Sequence, residues 1–146
     1  MTKNVLEPAW RFQHSVDCNA PKQFAWSYWT QVANWNDPPA TFHLDGPFDV
    51  GSKLTTKLPG QTLQSVIRDV TKDCGAVIDM QLPGAILSFH WKFETLSENR
   101  TRITQHLILS GQDAGAFVSQ ADVLEKSAPQ GMQNLVAAIE RSLKAE

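Results

Sequence analysis

Two polar side chains that could contact a bound molecule occur within otherwise apolar, alternating segments. His14 and Gln105 each have apolar residues two positions away on both sides. Residues at i and i+2 of a strand share a face, so both polar groups are expected on an apolar surface. A buried amide without a partner costs on the order of 1–3 kcal/mol, so Gln105 must bond either to nearby backbone or to a ligand. Both roles stay open, and for His14 a core or rim position competes with a role as general base.

General acid or base catalysis would require a titratable group inside a pocket. By strand alternation we take as candidates His14, Asp79 and Asp69. His90 and His106 have the opposite parity from their apolar neighbours and are predicted to face solvent. The sequence therefore leaves the catalytic residues, and whether the protein is an enzyme, undecided.

Short catalytic and cofactor motifs are missing from the sequence. It contains no G-x-S-x-G elbow, no H-E-x-x-H pair and no glycine-rich phosphate loop, so nucleophilic, zinc and nucleotide chemistry lack a signature. Cys18 and Cys74 form no C-x-x-C pair and are expected to be free thiols. No metal and no cofactor is implied.

The charge pattern and hydropathy limit the classes of partner. Thirteen basic residues oppose fifteen acidic ones, giving a net charge of −2 without a basic cluster, so nucleic acid is not an expected partner. No run approaches the roughly 20 apolar residues of a membrane span, and the N-terminus lacks the apolar region of a signal peptide. The cytoplasm is the expected location, and a homodimer is left open.

Aromatic residues are concentrated where a sheet could line a cavity. Phe89, Trp91 and Phe93 share one face of a predicted strand. These rings could be plain core or could line an apolar site, and both roles can hold for different rings. Trp35 precedes a loop with two consecutive prolines, so it is either packed beneath a rigid connector or placed at a pocket mouth.

Alternating segments separated by short turns predict seven antiparallel strands within one domain spanning residues 1–146. Two short helices are predicted between the first two strands. The predicted strands cover residues 9–17, 41–45, 52–58, 62–71, 76–82, 86–96 and 101–110.

The last third of the chain predicts a long amphipathic helix. Apolar residues recur at steps of three and four between Phe117 and Leu143. Ser127 and Gln130 have the spacing of a capping box, with Pro129 between them. A kink or a restart of the helix is therefore expected near Ser127.

The order of these elements resembles the helix-grip fold of START domains, the birch pollen allergen and polyketide cyclases. Several segments also resemble polyketide cyclase/dehydrase-like members of the SRPBCC superfamily, and the likeness covers about Trp10 to Ile139. Its motifs are His14-Ser15-Val16-Asp17-Cys18-Asn19-Ala20-Pro21, Val32-Ala33-Asn34-Trp35, Leu44-Asp45-Gly46-Pro47-Phe48, Arg100-Thr101-Arg102-Ile103-Thr104-Gln105 and Pro129-Gln130-Gly131-Met132.

The resemblance implies an α+β fold in which a seven-stranded antiparallel sheet curves around the long C-terminal helix, with an apolar pocket between them. We expect this pocket to bind a small hydrophobic or aromatic molecule, lipids included. The alternatives are a polyketide cyclase or dehydratase type of enzyme and a co-chaperone-like interaction module. The residues predicted to line the pocket and its mouth are Trp35, Phe42, Phe89, Trp91, Gln105, Leu107, Met132, Val136 and Ile139.

Overall fold

The computed structural model describes residues 7–145, which form a seven-stranded sheet and a long helix. The strands are β1 (Trp10–Cys18), β2 (Thr41–Asp45), β3 (Lys53–Leu58), β4 (Gln61–Thr71), β5 (Gly75–Leu82), β6 (Ala85–Ser97) and β7 (Arg100–Ser110). The helices are α1 (Lys22–Trp29) and α2 (Val118–Lys144), with 3₁₀ turns at Val32–Trp35 and Ala114–Phe117. The predicted α+β helix-grip architecture is confirmed, and the second of the two short helices is the first 3₁₀ turn.

All neighbouring strands are antiparallel, in the order β1-β7-β6-β5-β4-β3-β2. Short turns explain this order for β2 to β7, because hairpins place consecutive strands side by side. We call the sheet face that packs on α2 the helix face, and the opposite face the outer face. Trp10, Leu107 and Phe89 lie on the helix face.

Helix α2 is fixed to β1 near both of its ends. The Trp10 indole Nε1 donates to Asp122 Oδ1 at 3.1 Å, in the first part of the helix. The backbone N–H of Asn19, just after β1, donates to Glu140 Oε2 at 2.8 Å. Together with apolar packing, these bonds position the helix along the strand.

The predicted restart near Ser127 is wrong, because α2 continues through Pro129. The Ser127 hydroxyl donates to the carbonyl of Leu124 at 3.2 Å, a bond within the helix, and caps no new one. Proline cannot donate to the carbonyl four residues earlier, which costs helix stability. Burial of Ala128 and Met132 on either side holds the helix across this position.

The core consists of two clusters separated along the sheet. The first joins α1, the second half of α2 and a group of aromatic rings, and the second surrounds Trp10, Leu107 and Leu109. Phe89 packs against both clusters. Cys18 lies fully buried in the first cluster as a free thiol, and burial, aided by the charge of Glu140, raises its pKa to about 12.

Candidate functional site

Three predicted site positions form one cross-strand row on the helix face. His14 on β1 is the direct partner of Gln105 on β7, and Gln105 is in turn the partner of Trp91 on β6. Directly opposed residues have Cβ atoms about 4.5–5.5 Å apart. The strand register therefore places an imidazole, an amide and an indole side by side.

The Gln105 amide lacks a hydrogen-bond partner within residues 7–145, although the residue is only 8% exposed. None of its polar atoms is sealed from solvent, since the described residues contain no fully buried side-chain nitrogen or oxygen without a partner. The half-buried His14 ring likewise makes no side-chain hydrogen bond in the described part of the chain. Its ring stacks on Phe12, with centroids 6.4 Å apart. The row thus carries two polar groups that a bound molecule could reach.

The next row towards the second cluster is apolar and partly open. Phe12, Leu107 and Phe89 are successive cross-strand partners. Leu107 is fully buried, whereas the flanking rings of Phe12 and Phe89 remain half-buried. Exposed aromatic surface therefore adjoins the unpaired amide of Gln105.

The predicted residues on α2 lie in the packed core. Met132, Val136 and Ile139 are buried in the first cluster, with Ile139 fully buried. Their spacing of four and three residues places them on one side of the helix, as the sequence predicted. These three residues are part of the core between α2 and the sheet. The side chains of His14 and Phe12 on the sheet are more exposed to solvent than they are.

Trp35 and Phe42 belong to the aromatic group of the first cluster, which includes Trp29 at the end of α1. The Trp35 indole Nε1 donates to the carbonyl of Trp29 at 2.6 Å, and its ring meets Phe42 edge-on with centroids 5.7 Å apart. Trp29 also contacts Trp91, with centroids 5.0 Å apart. Trp35 is half-buried, so its ring packs against these aromatic neighbours and keeps part of its surface exposed.

Two acidic residues predicted to enter the pocket lie elsewhere. Asp79 faces outward, where its carboxylate accepts from Ser88 Oγ at 2.6 Å and from Arg68 Nε at 2.6 Å. Asp69 pairs with Val77, next to a bulge in β4 between Ile67 and Asp69. The alternation along β5 contradicts the placement of Asp79, and the bulge, which disturbs alternation in β4, contradicts that of Asp69. Of the three candidate acids or bases, His14 remains on the helix face.

Two surface depressions lie among residues 7–145, and neither has His14 or Gln105 in its lining. One, of about 700 Å³, is a groove on the outer face near the β4–β5 turn and includes His90, His106 and Cys74. The other, of about 540 Å³, lies between α1 and the end of α2. Trp91 borders the first of them, and the predicted cavity between sheet and helix stays a prediction.

The outer-face groove was missed at the level of sequence, although its signal was present. His90 and His106 have the predicted outward parity, but they are half-buried and face each other, with ring centroids 5.9 Å apart. Counting residues back from the β6–β7 turn could have suggested this pairing. The bulge between Thr95 and Ser97 shifts the count by one, so the register needed the folded sheet.

No protein-family model and no curated protein matches this chain in sequence. Solved structures do match in fold. Norcoclaurine synthase from Thalictrum flavum, in complex with dopamine and hydroxybenzaldehyde, has a TM-score of 0.70 at 13% identity, covering 94% of this chain and 88% of that one. The Zhui aromatase/cyclase from Streptomyces sp. R1128 has a TM-score of 0.72 at 18% identity, covering 92% and 95%.

Ara h 8.0201 matches with a TM-score of 0.65 at 11% identity, over 94% of this chain and 99% of that one. No helix among the described residues is long and apolar enough to cross a membrane. Identities this low establish a shared architecture and leave the chemistry to be argued from the site. The chain therefore shares the helix-grip fold, a seven-stranded antiparallel sheet with a long C-terminal helix, with these proteins.

Proposed function

We propose that this protein binds a small aromatic or apolar molecule, with one polar end, between the sheet and α2. The observation that carries the proposal is the Gln105 amide, which is almost buried and has no hydrogen-bond partner among the described residues. Burial of an unpaired amide is costly, so such a group is kept where water or a ligand completes its bonds. His14 beside it offers a second polar contact.

The surroundings of Gln105 favour a flat molecule. The rings of Phe12, Phe89 and Trp91 occupy the same or the adjacent row and remain partly exposed. Aromatic side chains bury large areas and stack on planar ligands. Apolar walls with a few convergent polar groups are the usual composition of small-molecule sites.

A protein of known structure with this fold supports the proposed chemical class of the ligand. Norcoclaurine synthase was solved with dopamine and hydroxybenzaldehyde, both small aromatic molecules that carry polar groups. We propose the same chemical class for this chain and not the same compounds. The remaining residues of the predicted site would contact the molecule or pack behind the residues that do. They are Trp35, Phe42, Leu107, Met132, Val136 and Ile139.

Catalysis of the cyclase or dehydratase kind is the second candidate, and His14 is the observation in its favour. An imidazole next to an amide, on the face that would hold the ligand, could remove or donate a proton while Gln105 orients a carbonyl. A His14→Gln variant that binds the molecule normally but no longer converts it would establish this role. The interaction-module alternative has less support, because the large exposed apolar residues within residues 7–145 are scattered over a loop, the two ends of β6 and α2. They are Val50, Ile86, Leu96 and Val123.

Gln105→Leu tests the binding proposal. The apolar row is then continuous, so the melting temperature of the ligand-free protein should stay or rise, while affinity for a polar-headed aromatic ligand should fall by roughly 1–2 kcal/mol, the order of one buried hydrogen bond. Gln13→Leu, on the exposed outer side of β1, is the matched control and should leave affinity unchanged. A lower melting temperature with unchanged affinity would assign Gln105 to the fold alone.

Binding of a flat apolar dye tests the location. Such a dye should quench tryptophan fluorescence, and Val136→Trp, which enlarges a buried side chain of α2, should block its binding. Val123→Trp, at the 66% exposed position of the same helix, is the control for the added indole. If Val136→Trp and Trp91→Ala both fold and both bind dye like the parent, the site is placed wrongly.

A further inference from the structure

We propose that His90 and His106, on the outer face of the sheet, form a binding site for a divalent transition-metal ion such as Zn²⁺ or Cu²⁺. The two residues are direct cross-strand partners on β6 and β7. Their rings are inclined at 44°, with centroids 5.9 Å apart. This site lies on the face opposite Gln105 and is independent of the proposed ligand binding.

The strand register makes the pair suitable for chelation. Opposed residues on antiparallel strands hold their Cβ atoms within about 4.5–5.5 Å, so both imidazoles extend from a fixed base. An ion at 2.0–2.1 Å from each nitrogen requires the nitrogens to come within about 3–3.5 Å of each other. The two rings would rotate about their side-chain bonds to bring one nitrogen of each to that distance, while the strand register stays fixed.

Both imidazoles are chemically free to bind a metal. In the part of the chain that the structure describes, neither ring makes a side-chain hydrogen bond, and neither has a sealed, unpaired nitrogen. A metal ion coordinates the neutral form of the imidazole ring through a nitrogen that no other bond occupies.

The charges around the pair do not exclude a cation. Arg68 is bonded to Asp79, and Lys92 Nζ lies 3.5 Å from Glu94. Asp69 borders the same groove and adds negative charge, while Lys22 contacts Cys74 Sγ at 3.6 Å at its far end. Arg68 and Lys92 each pair with a carboxylate, so part of their positive charge is offset.

The number of ligands indicates the type of site. No group of three or more metal-binding side chains is found within residues 7–145, so protein atoms would supply two ligands and water the rest. Imidazole suits zinc, copper and nickel, and affinity for a given site is greatest for Cu²⁺. An exchangeable ion with open coordination positions follows, in contrast to the closed coordination of structural zinc.

Calorimetric titration of the untagged protein with Zn²⁺, and Cu²⁺ titration followed by electron paramagnetic resonance, test the site. One ion per chain should bind, with nitrogen coupling in the copper spectrum and a higher melting temperature that a chelator reverses. His90→Gln and His106→Gln should each weaken binding by at least about tenfold, the size of effect seen when even the support of a metal ligand is lost.

Two control variants make the test specific. His43→Gln changes an exposed histidine on β2, and Cys74→Ser removes the exposed thiol from the groove. Both should bind Zn²⁺ like the parent. The proposal is overturned if His90→Gln and His106→Gln bind normally, or if either control loses as much affinity as they do.

Discussion

Two stretches of the same pair of strands, β6 and β7, behave differently on the helix face. At one stretch Phe93 is 2% exposed inside the aromatic group, and Thr101 donates to the carbonyl of Ala20 at 2.8 Å. A few residues away, Phe89 is half-buried and Gln105 has no partner among the described residues. Residues of similar type therefore serve the fold in one place and are left available in the other.

This difference in packing indicates where between the sheet and α2 a ligand could bind. Trp26, Trp29 and Phe93 interlock with ring centroids 5.4–5.6 Å apart, which fills that end of the grip. Filled interiors are packed as densely as organic crystals and leave no room for a second molecule. The centre of the sheet lacks such an interlock, so we place the proposed binding there.

Of the substitutions considered, Phe93→Ala should lower the free energy of unfolding the most. Removing a fully packed ring costs about 3–5 kcal/mol through lost burial and a residual cavity. Urea unfolding, read as a change in midpoint at constant slope, measures the free energy of unfolding. A loss below that of Phe89→Ala would show that the aromatic end is not the better packed one.

Phe89→Ala is the matched change on the same strand and the same face. Because its ring is half-buried, the loss of unfolding free energy should fall below the roughly 3 kcal/mol that begins the range for buried rings. Dye affinity should fall in this variant, whereas that of Phe93→Ala should change little as long as it folds. Equal affinity losses in the two variants would place the dye elsewhere.

Thr101→Val compares the polar groups of β7. The hydroxyl is fully buried and its loss leaves the carbonyl of Ala20 unpaired, so unfolding should become easier by about 1–3 kcal/mol. Gln105→Leu should cost nothing in the ligand-free protein. Thermal unfolding of both variants without ligand measures this difference. A lower melting temperature for Thr101→Val alone would show that the Thr101 hydroxyl stabilises the fold and that the Gln105 amide does not.

The smallest effect concerns pH and the outer face. The folded protein lowers the pKa of His90 below its ordinary value of 6.5, so the associated stability is present above that pH and declines as the pH falls through the folded pKa. His90→Gln should flatten the decline on acidification below about pH 7 while leaving dye binding unchanged. Melting temperatures from pH 7.5 to 5 measure this, and an unchanged profile would contradict the pKa shift.

The strands, the long helix and their order along the chain follow from local patterns in the sequence. Alternation of period two and an apolar stripe of period 3.6 depend on neighbouring residues, so β1 to β7 and α2 could be predicted. Gln105 was also recognised as a polar residue in an apolar row. Those inferences need only the local geometry of a strand or a helix.

Which candidate residues meet, and which groups they bond to, depends on contacts between residues far apart in the chain. Asp79 is held by Arg68 and Ser88 on the outer face, α2 runs through Pro129, and His90 faces His106. Each outcome depends on a bulge, a register or burial by a distant element, and such terms come from residues far apart in the chain. Local periodicity specifies what forms, whereas long-range packing decides which side chains are left without a partner.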